Sequence, residues 1–457
     1  MLMLYVKGRC APFEGTGSAP PRFPAARGEE RMSKRKGEFG MLHIPYGKTT
    51  IEFDETGANV LTSRIDELKA EGDGLSIVKA AMEHPIDSPR LKELAVGKKT
   101  CTIIISDHTR PVPSRDILPN MFAELKEGNP DIDITLLVAT GFHRPTSKEE
   151  LINKLGEEIY NNSKIVIHDS RNPDSNVQVG VLPSGAPCVI DKVAAEADLL
   201  ISEGFIEPHF FAGFSGGRKS VLPGICDQVT VLGNHCSKFI DSENSRTGKL
   251  DGNPMHEDMV AAAKFAKLCY IVNVVIDENK KTVAAFAGDL VKAHRMGCDF
   301  LLKYAKVAPK YADIVITSNG GAPLDQNVYQ CAKSISAAEA TCNPGGVIIE
   351  CAECLDGHGG QAMYEALRDC RTTRELYDQI MTVPADKTKP DQWEIQIYCR
   401  IINNFTVIFV TRPELKEQVE EMKFKFAPSL DEALKMARAM GKESITVIPN
   451  GISVIVG

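Results

Sequence analysis

An α/β fold of two domains is predicted, each domain a mostly parallel sheet flanked by helices. Three observations predict it. At 457 residues the chain exceeds what one hydrophobic core usually serves. Short runs of Val, Ile and Leu recur along it, apolar at successive rather than alternate positions, as strands buried on both faces require. Amphipathic stretches such as Arg115–Glu127 and Asp431–Met440 lie between those runs, the alternation that builds parallel sheets.

Taken in order, the strand candidates of the first domain are 101–106, 133–139, 164–168, 197–202 and 270–277. Those of the second are 312–318, 345–350 and 406–410. Two more, 445–449 and 452–456, close the chain, and Asn450-Gly451 between them reads as a hairpin turn. These runs set the first domain at 41–305 and the second at 306–441, with 442–457 expected to return to the first. Thr382–Asp391 reads as a loop from its Pro and Asp content. Residues 1–40, rich in Pro, Gly, Arg and Lys, read as a disordered tail or as sequence ahead of a true start at Met32 or Met41. The opening "MLMLYV" is too short an apolar run for a signal peptide.

Composition narrows the function classes. Hydrophobic residues make up 43% and charged residues 25%, the balance of a soluble globular protein. With 53 Lys+Arg against 61 Asp+Glu, no basic field invites nucleic acid. No apolar run reaches the ~18 residues of a membrane span. The 13 cysteines have no paired spacing, and Cys351 and Cys354 form an isolated CxxC, so a reducing cytoplasm is expected.

Polar chemistry collects at the carboxyl ends of the strand candidates, where open α/β sheets bind ligands. The first run leads into Asp107-His108-Thr109-Arg110, the second into His143-Arg144, and the fourth into His209 and the segment Gly213–Ser220. That segment resembles a P-loop, but Arg218 and Lys219 follow Gly216-Gly217 and no clear strand precedes it. Close backbone approach to an anion remains expected there. In the second domain Asp325, Tyr329, Gln330 and Lys333 follow a strand, with Gln330 and Lys333 one helical turn apart. His235 has no second ligand at metal spacing, and Trp393 is the sole tryptophan. His168, His256 and His358 read as structural.

The segments "SDHTRPVPS", "VATGFHRP", "EGFIEPHFFAGFSGGRKSVLPGI", "GNH", "PLDQNVYQCAK" and "PDQW" occur in order from residue 106 to residue 393. Together they resemble the nickel-pincer lactate racemase family, with similarity running from about His43 to the C-terminus. The resemblance implies a nickel pincer nucleotide, a pyridinium mononucleotide whose carbon and two sulfurs bind nickel. It places the covalent attachment at Lys219 and the fourth nickel ligand at His235. It makes His143 and His209 the acid/base pair, one for each face of an inverting carbon. Arg110 and Lys333 are then expected to hold the substrate carboxylate, Asp107 to orient a polar neighbour, and Tyr329, Gln330 and Trp393 to wall the pocket. Gly216, Gly217 and Arg218 are the expected contacts of the cofactor phosphate.

The expectation is therefore a cytoplasmic isomerase that interconverts D- and L-lactate by hydride transfer through a bound pyruvate, with its site in the interdomain cleft. Cofactor-maturation proteins are expected partners; nucleic acid and membranes are not. Two alternatives stand beside it: a racemase or epimerase of another 2-hydroxy acid, and a non-catalytic phosphate- or nucleotide-binding protein using Gly213–Ser220.

Overall fold

Isoleucines at 103, 104 and 105 are all fully buried, so this strand has no polar face and sits inside a sheet covered on both sides. Each such side chain contributes ~1.5–3 kcal/mol by leaving water. In the computed structural model, which describes residues 40–277 and 279–457, that strand is Thr100–Ser106, near the middle of a six-stranded sheet. The expected N-terminal tail lies, but for Gly40, outside the described residues.

The first sheet runs, edge to edge, Thr282–Gly288, Leu268–Ile276, Leu199–Phe205, Thr100–Ser106, Asp133–Ala139 and Lys164–Ile167. It is parallel except for its first pair. The second sheet is parallel throughout and runs Lys425–Ala427, Thr406–Val410, Cys342–Cys351, Ala312–Ser318, Ile445–Ile448 and Asn59–Val60. Helices Gly74–Glu83 and Ser114–Gly128 cover one face of the first sheet through Val78, Met82, Ile117, Leu118 and Met121. Helix Leu430–Ala439 covers one face of the second. The opposite faces belong to a single core that holds Ile104, Leu200 and Ile271 together with Val315, Ile348 and Phe409.

The chain's closing segment departs from expectation. Ile445–Ile448 extends the second sheet, pairing with Ala312–Ser318, and does not return to the first. Its other edge takes Asn59–Val60, from well inside the expected first domain. The expected hairpin is also absent: Ile455–Val456 pairs in parallel with Lys306–Val307. A turn does form there, with the Ser453 amide donating to the Asn450 carbonyl at 3.3 Å, but it joins no antiparallel pair, and Gly451 also answers to packing. A Cβ there would come within 2.7 Å of Ser334 and of the Thr317 hydroxyl, and its amide donates to the Ser318 carbonyl at 2.9 Å. Antiparallel pairings without a counterpart among the expected strands include Met41–Tyr46 with Thr49–Asp54, Asn176–Val181 with Pro187–Asp191, and the edge strand Thr282–Gly288.

Candidate active site

Strand ends of the first sheet and two helices of the second half line one cavity of about 300 Å³. Asp107, Arg110, His143, His209, Gly216, Lys219, His235, Tyr329, Gln330, Lys333 and Trp393 all face it.

Asp107 follows Thr100–Ser106 and is 2% exposed. Its Oδ2 accepts from His143 Nδ1 at 2.6 Å, and its Oδ1 accepts from the Thr109 hydroxyl at 2.7 Å and amide at 3.1 Å. Burial alone would raise its pKa, but these donors and Arg110 outweigh it, and the carboxyl is held below its ordinary value. The ionised Asp107 thus fixes the proton of His143 on Nδ1 and leaves Nε2 with its lone pair. His209 has the opposite tautomer. Its Nδ1 accepts the Ala212 amide at 3.3 Å, so the neutral ring carries its proton on Nε2. Its ring packs edge-on against Phe211, with centroids 4.5 Å apart. Burial, then Lys219, Lys333 and Arg110, pushes its pKa well below the usual imidazole range.

Lys219 lies in the single helical turn Gly217–Ser220. Burial first, then Arg218 and Arg110, drives its pKa far below that of an ordinary ammonium. The shift favours the unprotonated, nucleophilic form of the amine. His235 ends helix Gln228–Asn234, and its Nδ1 bonds the Val231 carbonyl at 2.9 Å. Burial and Lys219 take its pKa down to about 3. Nε2 is therefore an unprotonated donor, the state a metal ligand needs. Among the described residues no group of three His, Cys, Asp or Glu could hold a metal, so a metal on His235 would take its other donors from a ligand.

The second half supplies the facing wall. Asn327 caps helix Val328–Glu339 by accepting the Gln330 amide at 3.0 Å. This sets Tyr329, Gln330 and Lys333 on the first turns, and Lys333 Nζ donates to Gln330 Oε1 at 2.7 Å. Asp391, in the left-handed region at φ 64°, starts helix Gln392–Asn404 and accepts the Tyr329 hydroxyl at 2.9 Å. A non-glycine residue there is strained, and the strained turn delivers Trp393 edge-on to His235 with ring centroids 4.9 Å apart.

The pattern of lactate racemase N-terminal domains matches residues 46–248, and that of lactate racemase C-terminal domains matches residues 307–456. Lactate racemase of Thermoanaerobacterium thermosaccharolyticum is 50% identical over 420 residues, which is 91% of this chain and 99% of that protein. The chain belongs to the lactate racemase family. Lactate racemase of Lactiplantibacillus plantarum is 49% identical over 420 residues, covering 91% of this chain and 99% of its own. The solved lactate racemase apoprotein from T. thermosaccharolyticum superposes with a TM-score of 0.88 at 49% identity, over 92% of this chain and 100% of that one. As a member of the lactate racemase family the chain is an isomerase of the racemase type.

Two expectations for this lactate racemase family member need correction. Arg218 does not face the cavity: its guanidinium donates to the carbonyls of Phe214 at 2.8 Å and Ala212 at 2.7 Å. Gly217 does not offer its amide to an anion either, since that N–H donates to Asn273 Oδ1 at 2.7 Å. The glycine pair is required by packing. A Cβ on Gly216 would meet Asn273 Oδ1 and the Phe205 carbonyl at 2.8 Å, and one on Gly217 would meet the His294 ring at 2.8 Å. With those donors engaged, the P-loop reading of this segment loses its physical basis. His168 is structural as expected, bonded to Asp191 at 3.0 Å and to the Cys226 carbonyl at 3.0 Å.

Two acidic residues of the pocket wall were not anticipated from the sequence. Glu203 is buried at the end of Leu199–Phe205 and accepts from the Ser114 hydroxyl at 2.6 Å. Glu394 is buried beside Trp393. Burial raises the pKa of both.

Proposed function

We propose that this chain interconverts D- and L-lactate using a nickel pincer nucleotide joined to Lys219 and ligated through nickel by His235. What carries the reading is one cavity that combines a buried lysine of lowered pKa, an unprotonated buried histidine and two histidines of opposite tautomer. The fit to the cofactor lies in the donor set: one protein nitrogen with a free lone pair beside one amine able to form a covalent bond. When bound, the cofactor supplies an acceptor for the hydrogen that leaves Cα with its electron pair.

The protein's own groups do the rest. Arg110 and Lys333 hold the lactate carboxylate, and the planar guanidinium gives directional bonds to its two oxygens. His143, oriented by Asp107, takes the hydroxyl proton at Nε2 as the carbon becomes a pyruvate-like ketone. His209 serves the hydroxyl oxygen of the opposite enantiomer. Lys219, Lys333 and Arg110 repel a proton from His209, and a carboxylate or phosphate entering the cavity relieves that repulsion and restores its capacity to carry one. Phe210 and Phe211 exclude water from that face. The maturation proteins that supply the cofactor and a reducing cytoplasm complete the proposed setting; no described helix is long and apolar enough to cross a membrane.

Isotope exchange tests the chemistry. In deuterated water, lactate recovered after full racemisation should carry protium at C2, because hydrogen moves as hydride and never enters solvent. Deuterium entering C2 at the rate of inversion would mean a carbanion and end this reading. A second measurement tests the ligand: His235→Ala should lower bound nickel at least ~10-fold, the cost of losing a metal's protein ligand or its support. Unchanged nickel by elemental analysis would remove His235 from the proposed metal site.

A further inference from the structure

Helix Gln392–Asn404 brings a second side chain to the cavity next to Trp393, and the mechanism above does not use it. Glu394 is 1% exposed, lines the cavity, and among the described residues has no hydrogen-bond partner on either carboxyl oxygen. Burial dominates its protonation, Asp391 opposes ionisation, and Lys333 only partly offsets them; its pKa is raised to about 8. The Lys333 amine is engaged with Gln330 Oε1 at 2.7 Å, and the Tyr329 hydroxyl with Asp391 at 2.9 Å. A neutral carboxyl in this wall has one O–H to give and, among the described residues, no acceptor to receive it. Buried donors without partners are rare and costly, so the wall is complementary to an acceptor that arrives with a ligand.

We propose that Glu394 is a substrate-binding residue that donates its carboxyl O–H to a carboxylate oxygen of the bound 2-hydroxy acid. The inference rests on the reading of this cavity as a lactate site. A carboxyl-to-carboxylate bond is charge-assisted and stronger than a neutral one. It joins Arg110 and Lys333 in holding the anion without adding a third positive charge. It also gives the cavity a means of rejecting a ligand whose carboxylate is replaced by a group that accepts poorly.

The test is calorimetric titration of racemic lactate, already at equilibrium, into cofactor-loaded protein. Wild type is compared with Glu394→Gln, Glu394→Ala and the volume-matched Glu394→Leu. Loss of the donor in the Ala and Leu variants should weaken lactate binding by ~10–100-fold. The Gln variant still donates through its amide and should stay within a few-fold of wild type. KM should follow the same order while kcat changes much less, and nickel content and the intact mass of the adduct should match wild type. Unchanged binding in the Ala and Leu variants, or a Gln variant as weak as Ala, would overturn the proposal. If wild type binds lactate but does not racemise it, the parent reading fails while the order among variants still decides for or against Glu394. If wild type does not bind lactate, both fail.

Discussion

Replacing His143 with alanine should abolish racemisation while nickel and the covalent cofactor remain in place. The expected loss is at least the ~10²–10⁴-fold that a positioned general acid/base contributes. The geometry gives the reason. His143 is the imidazole whose Nε2 lone pair is fixed by an ionised partner, Asp107, at 2.6 Å on the other ring nitrogen. His235 also keeps a free Nε2 in this cavity, but a backbone carbonyl rather than a carboxylate orients it. His209→Ala should have the same outcome from either starting enantiomer, because inversion needs a group at each face. Chiral chromatography of D- or L-lactate incubated with loaded protein measures both. Near-normal turnover in either variant would refute the two-histidine scheme. Loss of nickel along with activity would show that the histidine supports the cofactor rather than the proton transfer.

Lys219→Ala should leave no covalent cofactor at all, so intact mass returns the bare chain and activity falls to background. Lys219→Arg should do the same. A guanidinium keeps its proton at any accessible pH and offers no lone pair, whereas burial and the repulsion of Arg218 and Arg110 favour the unprotonated form of the Lys219 amine. The contrast matters because arginine preserves the length and most of the volume of the side chain. A variant that failed only by leaving a cavity would be rescued by it. An adduct of unchanged mass on either variant would assign the attachment elsewhere.

Much of the fold was legible because parallel strands announce themselves. "CTIIIS" and "ADIVITS" are apolar at successive positions since both their faces are covered, and each lies within a residue of the observed Thr100–Ser106 and Ala312–Ser318. The hairpin Met41–Tyr46 with Thr49–Asp54 was not legible: His43, Thr50 and Glu52 break the apolar run of a strand with one exposed face. Nor was the return of the chain, because the turn at Asn450-Gly451 forms yet sends the next strand to a parallel pairing with Lys306–Val307 instead of back along Ile445–Ile448.

The site divides in the same way. His143, His209, Lys219 and His235 follow strand or helix ends in the sequence and do converge on one cavity. Arg218 sits beside Lys219 in the sequence, but a single helical turn aims adjacent side chains in different directions, and its head went to the carbonyls of Phe214 and Ala212. Glu394 was hidden for the converse reason. An acidic residue in the first turn of a helix usually faces solvent and complements the dipole, and only the packing of Gln392–Asn404 turns it inward.

The two-residue strand Asn59–Val60 borders the second sheet, and the hairpin of Met41–Tyr46 and Thr49–Asp54 ahead of it packs into that sheet's core through Ile44, although the chain that follows from Gly74 serves the first. The halves are therefore stitched rather than strung. Severing the backbone at residue 306 would yield a C-terminal fragment with a bare β border at Ile445–Ile448 and an N-terminal fragment still carrying the piece that seals it. Neither fragment would be a finished object on its own, and recombining halves from distant relatives would have to respect this short crossover as well as the cavity they share.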